Sequence, residues 1–178
     1  MMLKTFTQEV WIMIDYRFKI KDLTFLKHFC STDHRGSFEK IVPINNLDFS
    51  TKEVFFSKSK KGVIRGMHIQ KAPYPTSKLI KVINGNIMDV ILDCREDSKT
   101  FGKFDFIELN SDSNVLYIPM GCAHGFQTLS ENATMLYLTD NVYNPNTDLG
   151  YHFDSFGFDW PLKNKSLSER DFKLPNFI

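Results

Sequence analysis

The strongest constraint on this chain is the lack of any helical period before residue 165. Apolar residues recur instead in short runs of strand length, separated by turns rich in Gly, Pro, Asn and Asp. Such runs at close spacing read as an all-β barrel or sandwich, in which alternate residues of each strand face a shared interior. Seventeen Phe against two Trp fits that reading, because aromatic rings pack well on pleated surfaces. With 178 residues, 42% of them hydrophobic, the chain can bury an ample single core. Residues 1–12 read as an N-terminal extension and 13–178 as one domain. Asn84-Gly85, between apolar runs at 78–83 and 87–92, predicts a type I′ hairpin. Only residues 166–172 read as helical, with overlapping capping boxes at Ser166/Glu169 and Ser168/Asp171.

Charge and cysteine usage exclude several classes of function. A net charge of +1 leaves no cationic excess to displace counterions from a nucleic-acid backbone. Cys30, Cys94 and Cys122 fit neither a disulfide framework nor a paired zinc spacing, so a reducing, cytoplasmic setting is expected. The apolar run at 10–14 is too short to span a bilayer and lacks the features of a signal peptide.

Within residues 62–70 stand Arg65, Gly66, His68 and Gln70: a cation, a bare backbone position and an imidazole on one expected strand. At period two, Arg65 and His68 fall on opposite faces. For both to serve one ligand the strand needs a bulge, and Gly66 is where a bulge costs least. The plainer alternative is a surface Arg65 and a hydrogen-bonded core His68. Lys78 heads the face that continues through Ile80 and Val82. It is either an edge residue reaching for water or a buried, functional ammonium. Downstream, 119–126 reads as a turn delivering His124 to the next strand, and Tyr137 shares a face with Met135 and Thr139.

Arg65, His68, Lys78, His124 and Tyr137 in one barrel invite two chemistries. A metal site would need more ligands, since Ile69 and Gln70 follow His68 where a His-x-His pair would stand, and two imidazoles hold a first-row metal poorly. The other is proton transfer, with an imidazole as base, a phenol as acid and a lysine at a developing enolate oxygen.

At this density the motifs resemble a family. Gly62 through Gln70, Lys78-Leu79, Asp89-Val90, Asp93 with Arg95, Ser98, Thr100 and Gly102, the segment from Ile118 through Phe126, Tyr143 with Pro145, Asp159-Trp160-Pro161 and Leu167-Ser168 with Asp171 are together similar to the dTDP-4-dehydrorhamnose 3,5-epimerase family. The resemblance is dense from about residue 57 to 171. It implies a cupin-type double-stranded β-helix, or jelly-roll barrel, with a short C-terminal helical segment. It also implies an enzyme without metal or other cofactor, acting on a nucleotide-linked 4-keto sugar. In that family the 4-keto group acidifies the protons on carbons 3 and 5. By resemblance His68 is the base, Asp171 its carboxylate partner, Lys78 the enolate-stabilising ammonium and Tyr137 the acid on the far face. Arg65, His124, Gln70 and Tyr143 match residues that bind substrate, Arg65 at the diphosphate, and Arg35 and Phe38 match the nucleotide-binding half. The resemblance further implies a homodimer that exchanges N-terminal strands.

The departures from the family pattern lie in that half. The sequence from Asp33 to Phe38 is followed by Glu39 and then by Lys40 at the usual glutamate position, and Glu53-Val54-Phe55 stands for Gln-x-Asn. A lysine cannot accept what a glutamate accepts, and a phenyl ring offers a stacking face without an amide. The expectation is therefore an epimerase of carbon 3, carbon 5 or both in a nucleotide-diphospho-4-keto-6-deoxy sugar or 4-keto heptose for surface polysaccharide, with GDP in place of dTDP. The rivals are a same-fold ketoisomerase or single-carbon epimerase, and a catalytically silent sugar-nucleotide-binding cupin.

Overall fold

The computed structural model describes residues 8–9, 16–26, 28–41 and 48–178. In chain order the strands are β1 (Gln8–Glu9), β2 (Thr24–Leu26), β3 (Phe29–Asp33), β4 (Gly36–Lys40), β5 (Glu53–Lys60), β6 (Ile64–Gln70) and β7 (Lys78–Asn84). They continue as β8 (Asn86–Asp93), β9 (Phe104–Asn110), β10 (Val115–Ile118), β11 (Cys122–Thr128), β12 (Asn132–Thr139) and β13 (Asp148–Gly150), before a helix α1 (Glu169–Phe172). Of the expected extension only Gln8–Glu9 is described, paired with β3; the rest of 1–12 lies outside the described residues.

Two five-stranded sheets carry the site, ordered β2-β10-β7-β12-β5 and β13-β6-β11-β8-β9. From β5 onward the chain passes repeatedly from one sheet to the other, the path of a jelly-roll barrel. Between the sheets lies a core that includes Ile80, Val82, Ile87, Ile91, Leu116, Phe126 and Met135, each almost fully buried. Such side chains contribute about 1.5–3 kcal/mol apiece. The outer face of β6, β8 and β11 is covered by the C-terminal segment through Phe153, Phe158 and Trp160. A smaller three-stranded sheet, β1-β3-β4, stands apart in pairing.

The expected hairpin at Asn84-Gly85 does not form. Strand β7 pairs with β10 and β12, whereas β8 pairs with β11 and β9. The step is a corner between sheets. A type I′ turn needs positive φ at both central residues, yet Gly85 is at +84° and Asp22 is the only non-glycine residue with positive φ among the described residues. Packing decided against the local signal, because Ile80 and Val82 face Ile87 and Ile91 across the core instead of lying beside them in one ribbon. The helix is also shorter than expected. Ser166 forms a parallel bridge with Val63, and Ser168 alone caps α1, its Oγ accepting from the Asp171 N–H at 3.0 Å.

Candidate active site

The pairing of β11 with β6 sets the geometry. His124 lies opposite His68 and Phe126 opposite Arg65, so β6 carries one extra residue at Gly66-Met67. This is the bulge needed for Arg65 and His68 to face one ligand, and Gly66 takes φ +135° to make it. A side chain there has no room, since a Cβ would stand 2.4 Å from Gly125 Cα. The bulge reverses the alternation. Met67 and Ile69 pack outward beneath the C-terminal segment, while Arg65, His68 and Gln70 line an interior cavity of about 280 Å³.

Lys78 from β7, His124 from β11 and Tyr137 from β12 line the same cavity, with Phe55 and Ser57 from β5 and Tyr143 at its rim. Asp171 arrives from α1. Its Oδ1 is 2.7 Å from His68 Nε2, and its Oδ2 accepts the Gly66 N–H at 3.3 Å. An ionised carboxylate only accepts, so Nε2 carries a proton, and in the neutral imidazole Nδ1 is then the nitrogen with the lone pair. Burial draws the Asp171 carboxyl toward the neutral form, but the hydrogen bonds from His68 and the Gly66 N–H outweigh it. The net pKa is lowered and the carboxylate is ionised near neutrality.

A second pair lies deeper. His124 Nε2 is 2.7 Å from Asp89 Oδ1, both side chains almost wholly buried. Burial raises the Asp89 pKa despite its neighbour His124. Lys78 Nζ donates to the His68 carbonyl at 3.3 Å, and burial pushes the ammonium down to about 8 against the raising fields of Asp148 and Asp89. The Tyr137 hydroxyl has only long contacts, to Ser57 Oγ at 3.4 Å and Met135 Sδ at 3.5 Å. Burial raises its pKa, so the phenol keeps its proton near neutral pH. Arg65 projects toward the rim, donating to Ser59 Oγ at 2.9 Å and to the Lys58 carbonyl at 3.2 Å. Among the described residues, no group of three or more His, Cys, Asp or Glu side chains is placed to hold a metal ion.

Some expected residues sit differently. Gln70 lines the cavity, but its amide is spent on loops: Nε2 donates to Tyr74 O, Thr76 Oγ1 and Val142 O, and Oε1 accepts from Asn144 N. Arg35 and Phe38 do not reach the cavity. Arg35 is paired with Asp33 on the exposed β3–β4 hairpin. Lys40 sits over the Phe29 and Phe38 rings, while Glu39 faces His28 and Lys81. The sequence reading gave Asp89, Asp148 and Ser57 no role, although Asp148 and Ser57 line the cavity. For Asp89 a signal existed: a carboxylate on the strand face of Ile87 and Ile91 must have a buried partner.

The family model for dTDP-4-dehydrorhamnose 3,5-epimerase matches residues 17–178. A protein of that name from Salmonella typhimurium is 34% identical over 176 residues, covering 92% of this chain and 95% of its own length. One from Shigella flexneri is 39% identical over 125 residues, 68% of this chain. The chain spans 65–69% of the length of that protein and of two from Mycobacterium tuberculosis. Among solved structures, a dTDP-6-deoxy-D-glucose-3,5-epimerase from Legionella pneumophila in complex with dTDP-4-keto-L-rhamnose superposes with a TM-score of 0.80. It is 29% identical, covering 90% of this chain and 96% of that one.

Proposed function

This chain belongs to the dTDP-4-dehydrorhamnose 3,5-epimerase family and is a sugar epimerase, and from that premise we propose that it inverts carbons 3 and 5 of dTDP-4-keto-6-deoxy-D-glucose through an enolate. One observation supports the reading above the others: His68 and Tyr137 stand on opposing sheets, with the cavity between them. Inversion requires a proton to leave one face of the ring and another to arrive on the opposite face. His68, with Nε2–H held by Asp171, offers Nδ1 as the base. The C–H bond breaks, the proton passes to Nδ1, and the electron pair moves onto the 4-keto oxygen as an enolate. Lys78 answers that charge as it develops, which lowers the barrier more than the ground state. Tyr137 then returns a proton from the far side. Arg65 is placed at the rim, where a diphosphate fits its guanidinium.

The nucleotide is thymidine diphosphate, in place of the GDP expected from the sequence. Relatives matched along this chain are named for dTDP sugars, and the Legionella neighbour holds one. Glu39 and Glu53, the carboxylates in that half that could accept from the N–H groups of guanine, are engaged with His28 and Lys81 and with the Tyr143 N–H. A heptose substrate has no support among these relatives. Exposure of Arg35 and Phe38 away from their own cavity supports a homodimer whose β3–β4 hairpin serves the partner subunit. The free thiols fit a cytoplasmic setting, and no helix among the described residues is long and apolar enough to cross a membrane.

Incubation with dTDP-4-keto-6-deoxy-D-glucose, followed by NMR, should give the 4-keto-L-rhamnose epimer. Recovery of unchanged sugar would overturn the proposed activity. Titration should show dTDP binding roughly tenfold or more tighter than GDP, and the reverse order would restore the guanine reading.

A further inference from the structure

We infer that Phe55 is a positioning residue for reprotonation: its ring holds the Tyr137 phenol in the plane from which the proton is delivered. The inference rests on the activity proposed above and concerns a residue at which this sequence leaves the family pattern. Phe55 on β5 lies directly opposite Tyr137 on β12. Their rings are stacked, with centroids 4.9 Å apart and planes 13° from parallel. The His124 ring meets Tyr137 at an angle, with centroids 6.3 Å apart. One flat face and one tilted ring therefore set the orientation of the phenol.

Hydrogen bonding does not set it. Contacts of 3.4 Å to Ser57 Oγ and 3.5 Å to Met135 Sδ are long beside the usual O–H···O length of about 2.7–2.8 Å. A hydroxyl anchored by a short bond to protein would give up that bond to meet substrate. Held through its ring, Tyr137 keeps the hydroxyl free while its position is defined. Phe55 is 45% exposed at the cavity mouth. Its place there is poorly accounted for by core packing, since a residue that serves only the core would be buried.

The consequence is a partition. An enolate that meets a correctly placed Tyr137 is protonated on the far face and inverts. If the phenol is misplaced, the proton returns from the His68 side after exchange with solvent, leaving deuterium with retained configuration. The test is turnover of dTDP-4-keto-6-deoxy-D-glucose in deuterium oxide by the wild type and by Phe55→Leu, Phe55→Ala and Phe55→Tyr. NMR scores exchange with retention against exchange with inversion, and circular dichroism confirms folding. Loss of the flat face in the Leu and Ala proteins should raise the ratio of retention to inversion by about tenfold or more, because small misplacements of a reacting group are costly. The Tyr variant, with a ring in the same place, should keep the wild-type ratio. A purely structural role would slow both outcomes in parallel with the ratio unchanged, and that result would overturn the inference. So would a Tyr variant as impaired as Ala. A wild type that neither exchanges nor inverts would contradict the proposed activity instead, so the two failures are distinguishable.

Discussion

Asp171 Oδ1 meets His68 Nε2 at 2.7 Å across 103 residues of sequence. The contact exists because the C-terminal segment crosses the outside of the β6 sheet and returns α1 to the bulge at Gly66. The carboxylate fixes which imidazole nitrogen carries the proton. In Asp171→Asn the amide removes the negative charge that favours a cationic His68 after proton abstraction. We expect kcat to fall by roughly 10²- to 10⁴-fold with little change in KM, as when the orienting acid of a catalytic histidine is lost. An unchanged kcat would remove Asp171 from the mechanism.

Lys78 supplies a pH dependence. Burial holds its pKa near 8, below the ordinary 10.5, so the ammonium is present below pH 8 and lost above it. kcat/KM should therefore decline as pH rises through about 8. Lys78→Arg should move that limb upward, because a guanidinium keeps its charge. The linkage to stability has a fixed sign. With a folded pKa below the unfolded value, the group's favourable contribution is present above 10.5 and lost as pH falls through 8. The melting temperature of Lys78→Met relative to wild type should thus be more favourable at pH 7 than at pH 10. A difference independent of pH would contradict the depressed pKa.

Gly66→Ala tests the bulge. Its Cβ would lie 2.4 Å from Gly125 Cα and 2.9 Å from the His124 carbonyl oxygen, at a φ of +135°. We expect a loss of about 2 kcal/mol or more in urea unfolding, from backbone strain and displaced neighbours. A loss under about 0.5 kcal/mol would place the bulge elsewhere.

Where local chemistry determined the outcome, the sequence was legible. The bulge at Gly66 is the one that the alternation of Arg65 and His68 demands if both are to face one ligand. Where two distant surfaces had to meet, it was not. Asn84-Gly85 looks like a hairpin because only neighbouring residues enter the pattern, and the packing of Ile80 and Val82 against Ile87 and Ile91 across the barrel is invisible at that range. Asp171 presented a capping pattern that places it at a helix end, and only the motif resemblance tied it to His68. Asp89 went without a role because its partner, His124, is 35 residues away. In the nucleotide half, Glu39 and Glu53 find their partners in His28, Lys81 and the Tyr143 N–H, on other strands and loops that a pattern read along the chain does not reach.

The central claim is that His68 opens the reaction by taking a carbon-bound proton. Wild type and His68→Asn should be compared by NMR in deuterium oxide with dTDP-4-keto-6-deoxy-D-glucose, following deuterium at carbons 3 and 5. We expect wild type to label both carbons with inversion, and His68→Asn to label them about 10²- to 10⁴-fold more slowly, the contribution of a general base. Labelling by His68→Asn at a rate near wild type would contradict the account.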